Sequence, residues 1–319
     1  MDNRFVMAAI VLIGVPLVIV AYIVLTERAL RLVRPNSRDR IRPWLWLLPA
    51  LSFVSVFLIY PTVRTVILSF MDRRSENFIG VDNYVNFFGG SGAVQVLINN
   101  LLWIVFFTLL TVTFGLLIAV LADRVRYESV AKALIFLPMA ISFVAAGIIW
   151  RFMFDLPAET GTLNAAIGTV GIGPQTWLLD WPRNSFMIII AAAWIWTGFC
   201  MVILSAGLKG ISTELLEAAR MDGANEFQTF FRVTLPLLAP TVAVVTTTMI
   251  IFALKVFDLV YVMTGGRFDT DVLANRMFSE MFTRRDYGMA ATVAVILLAL
   301  IVPIMLFNIR RFREQEAIR

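Results

Sequence analysis

Two ionisable residues, Lys255 and Asp258, lie three positions apart inside a long apolar run of this 319-residue sequence. That spacing places an ammonium and a carboxylate on one face of a helix, where they can pair. An ionised group within a bilayer costs about 2.5 to 3.5 kcal/mol, so such residues usually face a cavity or a partner. Because both lie near the end of the run, the spacing favours a structural ion pair over a ligand site.

Few residues in this sequence could support catalysis. Histidine is absent, and the single cysteine, Cys200, lies in an apolar run where a packing role is expected. Disulfide frameworks, Cys/His zinc sites and histidine-based triads are therefore excluded by count. The Gly-x-x-x-x-Gly-Lys-Ser/Thr pattern that cradles ATP phosphates is also missing. We expect no catalytic residue, no metal site and no bound cofactor in this chain.

The composition indicates a membrane protein, because 60% of the residues are hydrophobic and only 15% are charged. The net charge of +5 is spread between apolar runs, which argues against a nucleic-acid partner. A helix of about 20 apolar residues crosses a bilayer and contacts membrane lipid. Seven segments qualify: Phe5–Thr26, Trp44–Phe70, Val96–Ala122, Ala133–Phe154, Ser185–Leu208, Pro236–Thr264 and Tyr287–Asn308. The predicted fold class is all-α, a polytopic membrane bundle of about seven transmembrane helices.

The basic residues between the spans predict the orientation, since cytoplasmic segments are enriched in lysine and arginine. With the N-terminus outside, sixteen fall on the inner side: Arg28, Arg31, Arg34, Arg38, Arg40, Arg42, Arg124, Arg126, Lys132, Lys209, Arg220, Arg232, Arg310, Arg311, Arg313 and Arg319. Eight fall outside: Arg4, Arg73, Arg74, Arg183, Arg267, Arg276, Arg284 and Arg285. This asymmetry predicts an N-out, C-in protein of the inner membrane. On the outer side, the stretch from Asp82 to Phe88 predicts a short amphipathic helix capped by Asp82.

The inner segment 209–235 has signals of its own. Ser212 is a candidate N-cap and Gly223 a candidate left-handed C-cap, which predicts a helix between them. Asn225 followed by Gln228 resembles a capping box, so a second short helix should follow. Pro236 suits the first turn of the next span. The segment is too short and too polar to cross the membrane, so it must lie against another surface.

The same segment resembles the EAA loop of permease subunits in binding-protein-dependent ABC importers. The matching features are the Glu217-Ala218-Ala219 triplet, Gly223 six residues after Glu217, and the Leu235-Pro236 pair. The resemblance extends over about residues 43–313 and includes the pairs Tyr60-Pro61 and Ser69-Phe70, the string 80–84 and the string 255–266. The last string is similar to the carbohydrate-uptake branch, the maltose and glycerol-phosphate type.

The resemblance implies a type I ABC importer permease core and a set of partner subunits. The partners would be a second homologous permease, two ATP-binding subunits that carry ATP and Mg, and an extracytoplasmic solute-binding protein. A coupling helix would dock on the ATPase. Its predicted docking residues are Glu217, Ala218, Ala219, Arg220, Asp222 and Gly223. The substrate would be a di- or oligosaccharide such as an α-glucoside, with glycerol phosphate or another small solute as the alternative.

Sugars are held by aromatic faces and by hydroxyl or amide groups. On that basis the candidate residues of a sugar pathway are Asn100, Trp194, Trp196, Asp258 and Tyr261. Each aromatic residue taken alone is more often a packing residue or part of the interfacial belt.

The predicted organisation has four parts. Residues 1–43 form an extra anchor helix with a basic inner loop, and residues 44–95 a first permease helix with an extracytoplasmic segment. Residues 96–310 form the five-helix transporter core, which contains the coupling loop, and residues 311–319 a basic cytoplasmic tail.

Two other classes of function, a membrane enzyme and a secondary transporter, fit the sequence less well. A membrane enzyme would need acids, histidines or metal ligands clustered at one membrane face, whereas the acids here are dispersed. A secondary transporter should show internal repeats and intramembrane carboxylates. Asp258 is the one acid well inside a span, and no repeat is evident.

The topology is testable with single cysteines at Ser91 and Ser212. An impermeant thiol reagent applied to intact cells should label position 91 and leave position 212 unlabelled, because the charge asymmetry places them on opposite sides. Labelling of position 212 but not 91 would reverse the assignment.

Overall fold

The computed structural model describes residues 3–32 and 35–317 of the chain. The described residues form helices and no strand, apart from an isolated antiparallel bridge between Met71 and Phe78. The chain divides into two compact units, Met1–Arg64 and Thr65–Arg319. The predicted all-α class is confirmed.

The first unit is a pair of long helices. Helix α1 spans Asn3–Leu32 and α2 spans Pro35–Val54, followed by a π-helical turn at Ser55–Ile59 and the start of α3, Tyr60–Leu68. Glu27 of α1 and Arg42 of α2 form a salt bridge of 2.9 Å. The Tyr22 hydroxyl donates to the carbonyl of Leu45, and its ring meets Trp46 edge-on. The long apolar faces of both helices are otherwise exposed, as lipid-facing residues would be.

The second unit contains the remaining helices. They are α4 (Asp82–Gly89), α5 (Ala93–Leu102), α6 (Thr108–Ala122), α7 (Glu128–Phe136), α8 (Phe143–Met153), α9 (Thr162–Gly168), α10 (Arg183–Lys209), α11 (Thr213–Met221), α12 (Glu226–Thr229), α13 (Leu235–Leu254), α14 (Asp258–Met263), α15 (Leu273–Phe278) and α16 (Tyr287–Ala317). Further π-helical turns occupy Trp103–Phe107, Phe230–Thr234 and Ser279–Thr283, and a 3₁₀ turn occupies Leu137–Ala140.

Helix α10 is the centre of this unit, and glycines bring its neighbours close to it. A β-carbon at Gly115 of α6 would lie 2.5 Å from the β-carbon of Cys200. One at Gly198 would lie 2.6 Å from the carbonyl oxygen of Ile135 in α7. One at Gly207 would lie 2.8 Å from Leu238 in α13. Small residues of this kind let membrane helices approach closely, so α6, α7 and α13 surround α10.

Seven membrane crossings were predicted, and two of them, the fourth and the sixth, are not single continuous helices in the structure. Within the described residues six helices are long and apolar enough to span a bilayer: Ile10–Leu32, Ser37–Leu68, Ala93–Ala122, Arg183–Lys209, Glu226–Leu254 and Tyr287–Phe307. The fourth predicted span, 133–154, is a broken pair, Glu128–Ala140 and Phe143–Met153, bent by 97°. Pro138 occupies the 3₁₀ turn at the break, and the Ser142 hydroxyl caps α8 by accepting from the Ala145 amide. Both residues are helix-boundary signals that the apolar count overlooked.

The sixth predicted span, 236–264, is also wrong as a single helix. Helix α13 ends at Leu254, and α14 starts separately at Asp258. Lys255 and Asp258 therefore do not share a helix face, and the described residues show no salt bridge between them. The prediction that these two residues form an ion pair is therefore wrong. The break could not be foreseen, because neither glycine nor proline marks it in the sequence.

One smaller prediction, the cap of α4, is wrong. Asp82 is the first residue of α4 and not its cap, since Val81 holds that position and no side chain caps it. The amide of Asn83 is buried and donates to the carbonyls of Ser69 and Met71, so α4 packs onto the protein through this residue.

Arg34 and Arg319, two of the basic residues used for orientation, lie outside the described residues. The predicted tail 311–319 is part of α16 as far as Ala317.

The packing predicts that Gly198→Ala destabilises the protein. Its new methyl group would meet the backbone of Ile135 and Phe136, which cannot move aside as a side chain can. Overpacking of this kind costs about 1–3 kcal/mol. Thermal unfolding of the purified protein in detergent should show a lower midpoint. Gly14→Ala is the matched control, because nothing lies within 4 Å of its β-carbon position. Equal midpoints for the two variants would contradict this account of the packing.

Candidate functional site

The segment between α10 and α13 forms the helix and turn that its sequence predicts. The Ser212 hydroxyl accepts from the Glu214 amide at the start of α11. Gly223 has φ of +83°, a left-handed conformation in which glycine carries no steric cost. The Ala224 amide donates to the Ala219 carbonyl and the Gly223 amide to the Arg220 carbonyl. These two bonds form a Schellman motif, which ends the helix sharply.

The second half of the segment differs from the prediction. Asn225 and Gln228 do form a reciprocal capping box. The helix they start is not separate, however, because Glu226–Leu254 runs on as one helical stretch. The Leu235 amide bonds to the Phe230 carbonyl five residues back, as in a π turn. Pro236 follows at once and has no N–H to donate, and prolines are a usual cause of such ladder defects.

Most of the predicted docking residues are on the surface. Glu217, Ala218, Arg220, Asp222 and Gly223 are exposed, whereas Ala219 is half-buried. Two large apolar side chains that the sequence reasoning missed protrude beside them. Met221 is 87% exposed and Phe227 is 72% exposed. A partner surface covering this end would bury both, so the segment has the character of a docking site.

A second candidate site is an aromatic cavity of about 160 Å³ in the larger unit. Its wall is aromatic: Trp196 packs on Phe252 with ring centroids 4.0 Å apart and stacks on Phe143 at 5.7 Å. Trp103 and Phe107, both buried, belong to a π-helical turn of the kind often found at functional sites. The exposed residues Lys255 and Asp258 add one positive and one negative charge to the lining.

Of the predicted pathway residues, only Trp196 and Asp258 meet in this cavity. Trp194 lines a different, apolar groove with Trp150. Tyr261 packs against Phe257 and Phe278 and opens toward another cavity.

Asn100 is buried, and both ends of its amide are used by the backbone. Its oxygen accepts from the Leu273 amide at 2.8 Å, and its nitrogen faces the Leu254 carbonyl at 3.5 Å. In this structure it ties α5 to the end of α13 and the start of α15.

Buried amides also hold the loop between α14 and α15. Asn99 donates to the carbonyls of Asp269 and Asp271 at 2.6 and 2.8 Å and accepts from the Trp181 indole at 3.0 Å. Asn184 donates to the Phe268 carbonyl at 2.7 Å. Phe268 and Asp269 both have positive φ, near +58°, so the loop is strained and needs these anchors. Burial raises the pKa of the Asp271 carboxyl above its usual value.

These features are typical of a transport subunit: a bundle of membrane-spanning helices with an aromatic cavity and an exposed, partly apolar segment between α10 and α13. Residues 87–312 match the family described as binding-protein-dependent transport system inner membrane component. The chain belongs to this family, and the prediction of an ABC importer permease in the inner membrane is confirmed. Proteins of this family are permeases and not enzymes, and the ATPase is a separate subunit.

Relatives along nearly the whole chain carry transport names. The osmoprotective compounds uptake permease protein GgtC of Synechocystis is 52% identical over 279 residues, covering 86% of this chain and 100% of the relative. The α-glucoside transport system permease protein AglF of Rhizobium meliloti is 45% identical over 283 residues, covering 87% and 84%. The lactose transport system permease protein LacF of Rhizobium radiobacter is 30% identical, covering 86% and 95%.

Solved structures support the fold. A bacterial ABC transporter that imports the acidic polysaccharide alginate matches with a TM-score of 0.77 and 23% identity, over 88% of this chain and 99% of that chain. At this identity the likeness concerns the architecture only.

Proposed function

We propose that this chain is a permease subunit of an ATP-driven importer of α-glucosides, small di- or oligosaccharides. The observation that carries the substrate class is the 45% identity to an α-glucoside permease over 283 residues. The aromatic cavity supports it, because sugars stack their apolar faces on rings and bond their hydroxyls to charged groups. Trp196 and Phe143 would supply the rings, and Asp258 and Lys255 the polar contacts.

The size of the cavity favours a second permease subunit. Sites for whole small molecules measure about 300–1,000 Å³, whereas this cavity measures about 160 Å³. This chain would therefore supply one wall of the pathway, and a homologous permease would supply the other.

The segment between α10 and α13, which we call the docking segment, would dock on a separate ATPase. Glu217, Ala218, Arg220, Asp222 and Gly223 are exposed on or beside α11, next to the apolar side chains of Met221 and Phe227. Two ATP-binding subunits would bind ATP and Mg, and this chain would bind no cofactor. The half-buried Ala219 would set the distance between α11 and the rest of the permease.

The orientation that suits these roles is N-out and C-in. The Lys209 end of α10 then faces the cytoplasm and the ATPase, and the Arg183 end, about 40 Å away along the helix, faces an extracytoplasmic solute-binding protein. The excess of arginine and lysine in the inner segments favours this orientation.

A second candidate substrate is an osmoprotective compound, because the 52% identical relative GgtC is named for uptake of such compounds. An uptake panel would separate the candidates. A deletion strain complemented with this chain would be given labelled maltose, lactose, glycerol phosphate and glycine betaine. Saturable uptake of maltose alone supports the α-glucoside assignment, and uptake of glycine betaine alone would replace it.

For the cavity, we expect Trp196→Ala to reduce uptake at low substrate concentration by about two- to tenfold, the effect of losing one aromatic contact of about 0.5–1.5 kcal/mol. Trp194→Ala is the matched control, because it removes the same ring from a separate groove. The measurement is the initial uptake rate against substrate concentration at matched membrane abundance. Equal effects of the two substitutions would show that the cavity is not part of the sugar pathway.

For the docking segment, we expect Gly223→Asp and Glu217→Lys each to abolish uptake while the membrane helices stay folded. A side chain at Gly223 would strain the left-handed turn by about 1–2 kcal/mol, and Glu217→Lys reverses an exposed charge on α11. The measurements are uptake and co-purification of the ATPase. Glu159→Lys, an equal charge reversal in the loop after α8, is the control. Wild-type uptake by both test variants would show that α11 does not couple ATP hydrolysis to transport.

A further inference from the structure

Residues 123–132, which are the turn between α6 and α7 together with the first five residues of α7, carry four of the charges that meet at the Lys209 end of the bundle; we call this stretch the elbow. Glu128 of the elbow accepts from Lys209 at 2.6 Å and from Lys132 at 2.5 Å. Asp123 adds a second carboxylate, 3.3 Å from Lys132 and 3.9 Å from Lys209. Lys209 is the last residue of α10, three positions before the Ser212 cap of α11. The start of the docking segment is thus held by the elbow.

The end of the docking segment is held by the same elbow. Glu226, the first residue of α12, uses its two carboxylate oxygens separately. One accepts from Arg220 of α11 at 3.1 Å, and the other accepts from Arg124 of the elbow at 2.9 Å. Arg124 and Glu226 are 102 residues apart in the chain. The docking segment is therefore attached at both ends to the same ten-residue stretch, the elbow.

A continuous stretch of chain leads from the elbow through α7 to α8 and the aromatic cavity. The elbow continues into α7, whose backbone at Ile135 and Phe136 touches Gly198 so closely that no β-carbon fits between them. The chain then bends by 97° and enters α8 at Phe143. Phe143 stacks on Trp196 in the cavity wall. Tilting α7 would therefore move a ring of the cavity.

The two ion pairs of Glu226 contribute little to stability. Arg124, Arg220 and Glu226 each expose more than half of their side chains, and exposed pairs contribute little to folding. Two attachments to one element do, however, restrict how the segment can move relative to α7. Their geometry suits the transmission of a displacement.

We propose that the elbow receives the displacement of α11 and passes it through α7 to the cavity, with Arg124, Glu128, Lys209 and Glu226 as positioning residues. This inference rests on the proposed role of α11 as the ATPase-docking helix. It adds a second route to the direct chain connections of α11 with α10 and α13.

Charge reversal with rescue tests the proposal in the complete importer reconstituted in vesicles. Glu128→Lys and Lys209→Glu each place like charges together. The double variant restores opposite charges between positions 128 and 209, although its new lysine still faces Lys132 and its new glutamate still faces Asp123. We expect each single variant to lower the amount of solute transported per ATP hydrolysed by about fivefold or more, the usual size of a coupling effect. The double variant should recover part of this loss, because neighbouring substitutions that restore one opposite-charge pair compensate each other at that pair. ATPase co-purification and the rate of ATP hydrolysis report that the complex is intact.

Arg124→Glu tests the second attachment, and Arg126→Glu is its matched control. Arg126 lies in the same elbow, is exposed and forms no ion pair with the described residues. We expect Arg124→Glu to lower the transport ratio and Arg126→Glu to leave it unchanged. A double Glu128→Lys/Lys209→Glu variant no better than its parents, or equal ratios for Arg124→Glu and Arg126→Glu, overturns the inference.

Gly223→Asp in the same assay keeps the two proposals apart. If Gly223→Asp uncouples transport while the elbow variants do not, only the route through the elbow is wrong. If Gly223→Asp keeps the wild-type ratio, the docking role of α11 itself fails.

Discussion

The structure of the larger unit depends on the close approach of three helices to α10. Gly115, Gly198 and Gly207 lie where α10 meets α6, α7 and α13, and each contact leaves no room for a β-carbon without displacement of the neighbour. Water does not drive helices together inside a bilayer, so such packing has to supply much of the association energy. The position of α7 is the most tightly restricted, because Gly198 meets backbone atoms there. Both candidate sites use this element, since α7 leads to the cavity at one end and begins at the elbow at the other.

The candidate sites lie where the regular helices are interrupted. Backbone groups in a membrane have to be satisfied within the protein, and the interruptions here supply their own partners. The Ser142 hydroxyl caps α8 after the bend. Asn100 receives the Leu273 amide beside the break between α13 and α14. The cavity is lined from both sides of that break and by a π-helical turn, so departures from regular helix place its aromatic and charged side chains.

The two ends of α10 are organised by different interactions. Neutral amides dominate at the Arg183 end, where Asn99 and Asn184 hold a strained loop through its carbonyls. Ion pairs dominate at the Lys209 end, where Glu128 and Glu226 each bridge two cations. Buried amide contacts are costly to open because the freed groups would lack partners, whereas the exposed pair of Arg124 with Glu226 contributes little to stability and opens at low cost. A fixed loop at one end and an adjustable attachment at the other suit a subunit that is moved from one side.

The sequence by itself determined the features that rest on local chemistry. Apolar length predicted the membrane helices, and the cap residues Ser212, Gly223 and Asn225 predicted the docking segment, because a cap is satisfied within a few residues of itself. The break after Leu254 and the link of Arg124 to Glu226 came only from the tertiary structure. Each depends on a neighbour far along the chain, as Arg124 does on a carboxylate 102 residues away. Side-chain type and spacing state what a residue can do, and only packing decides which partner comes within reach.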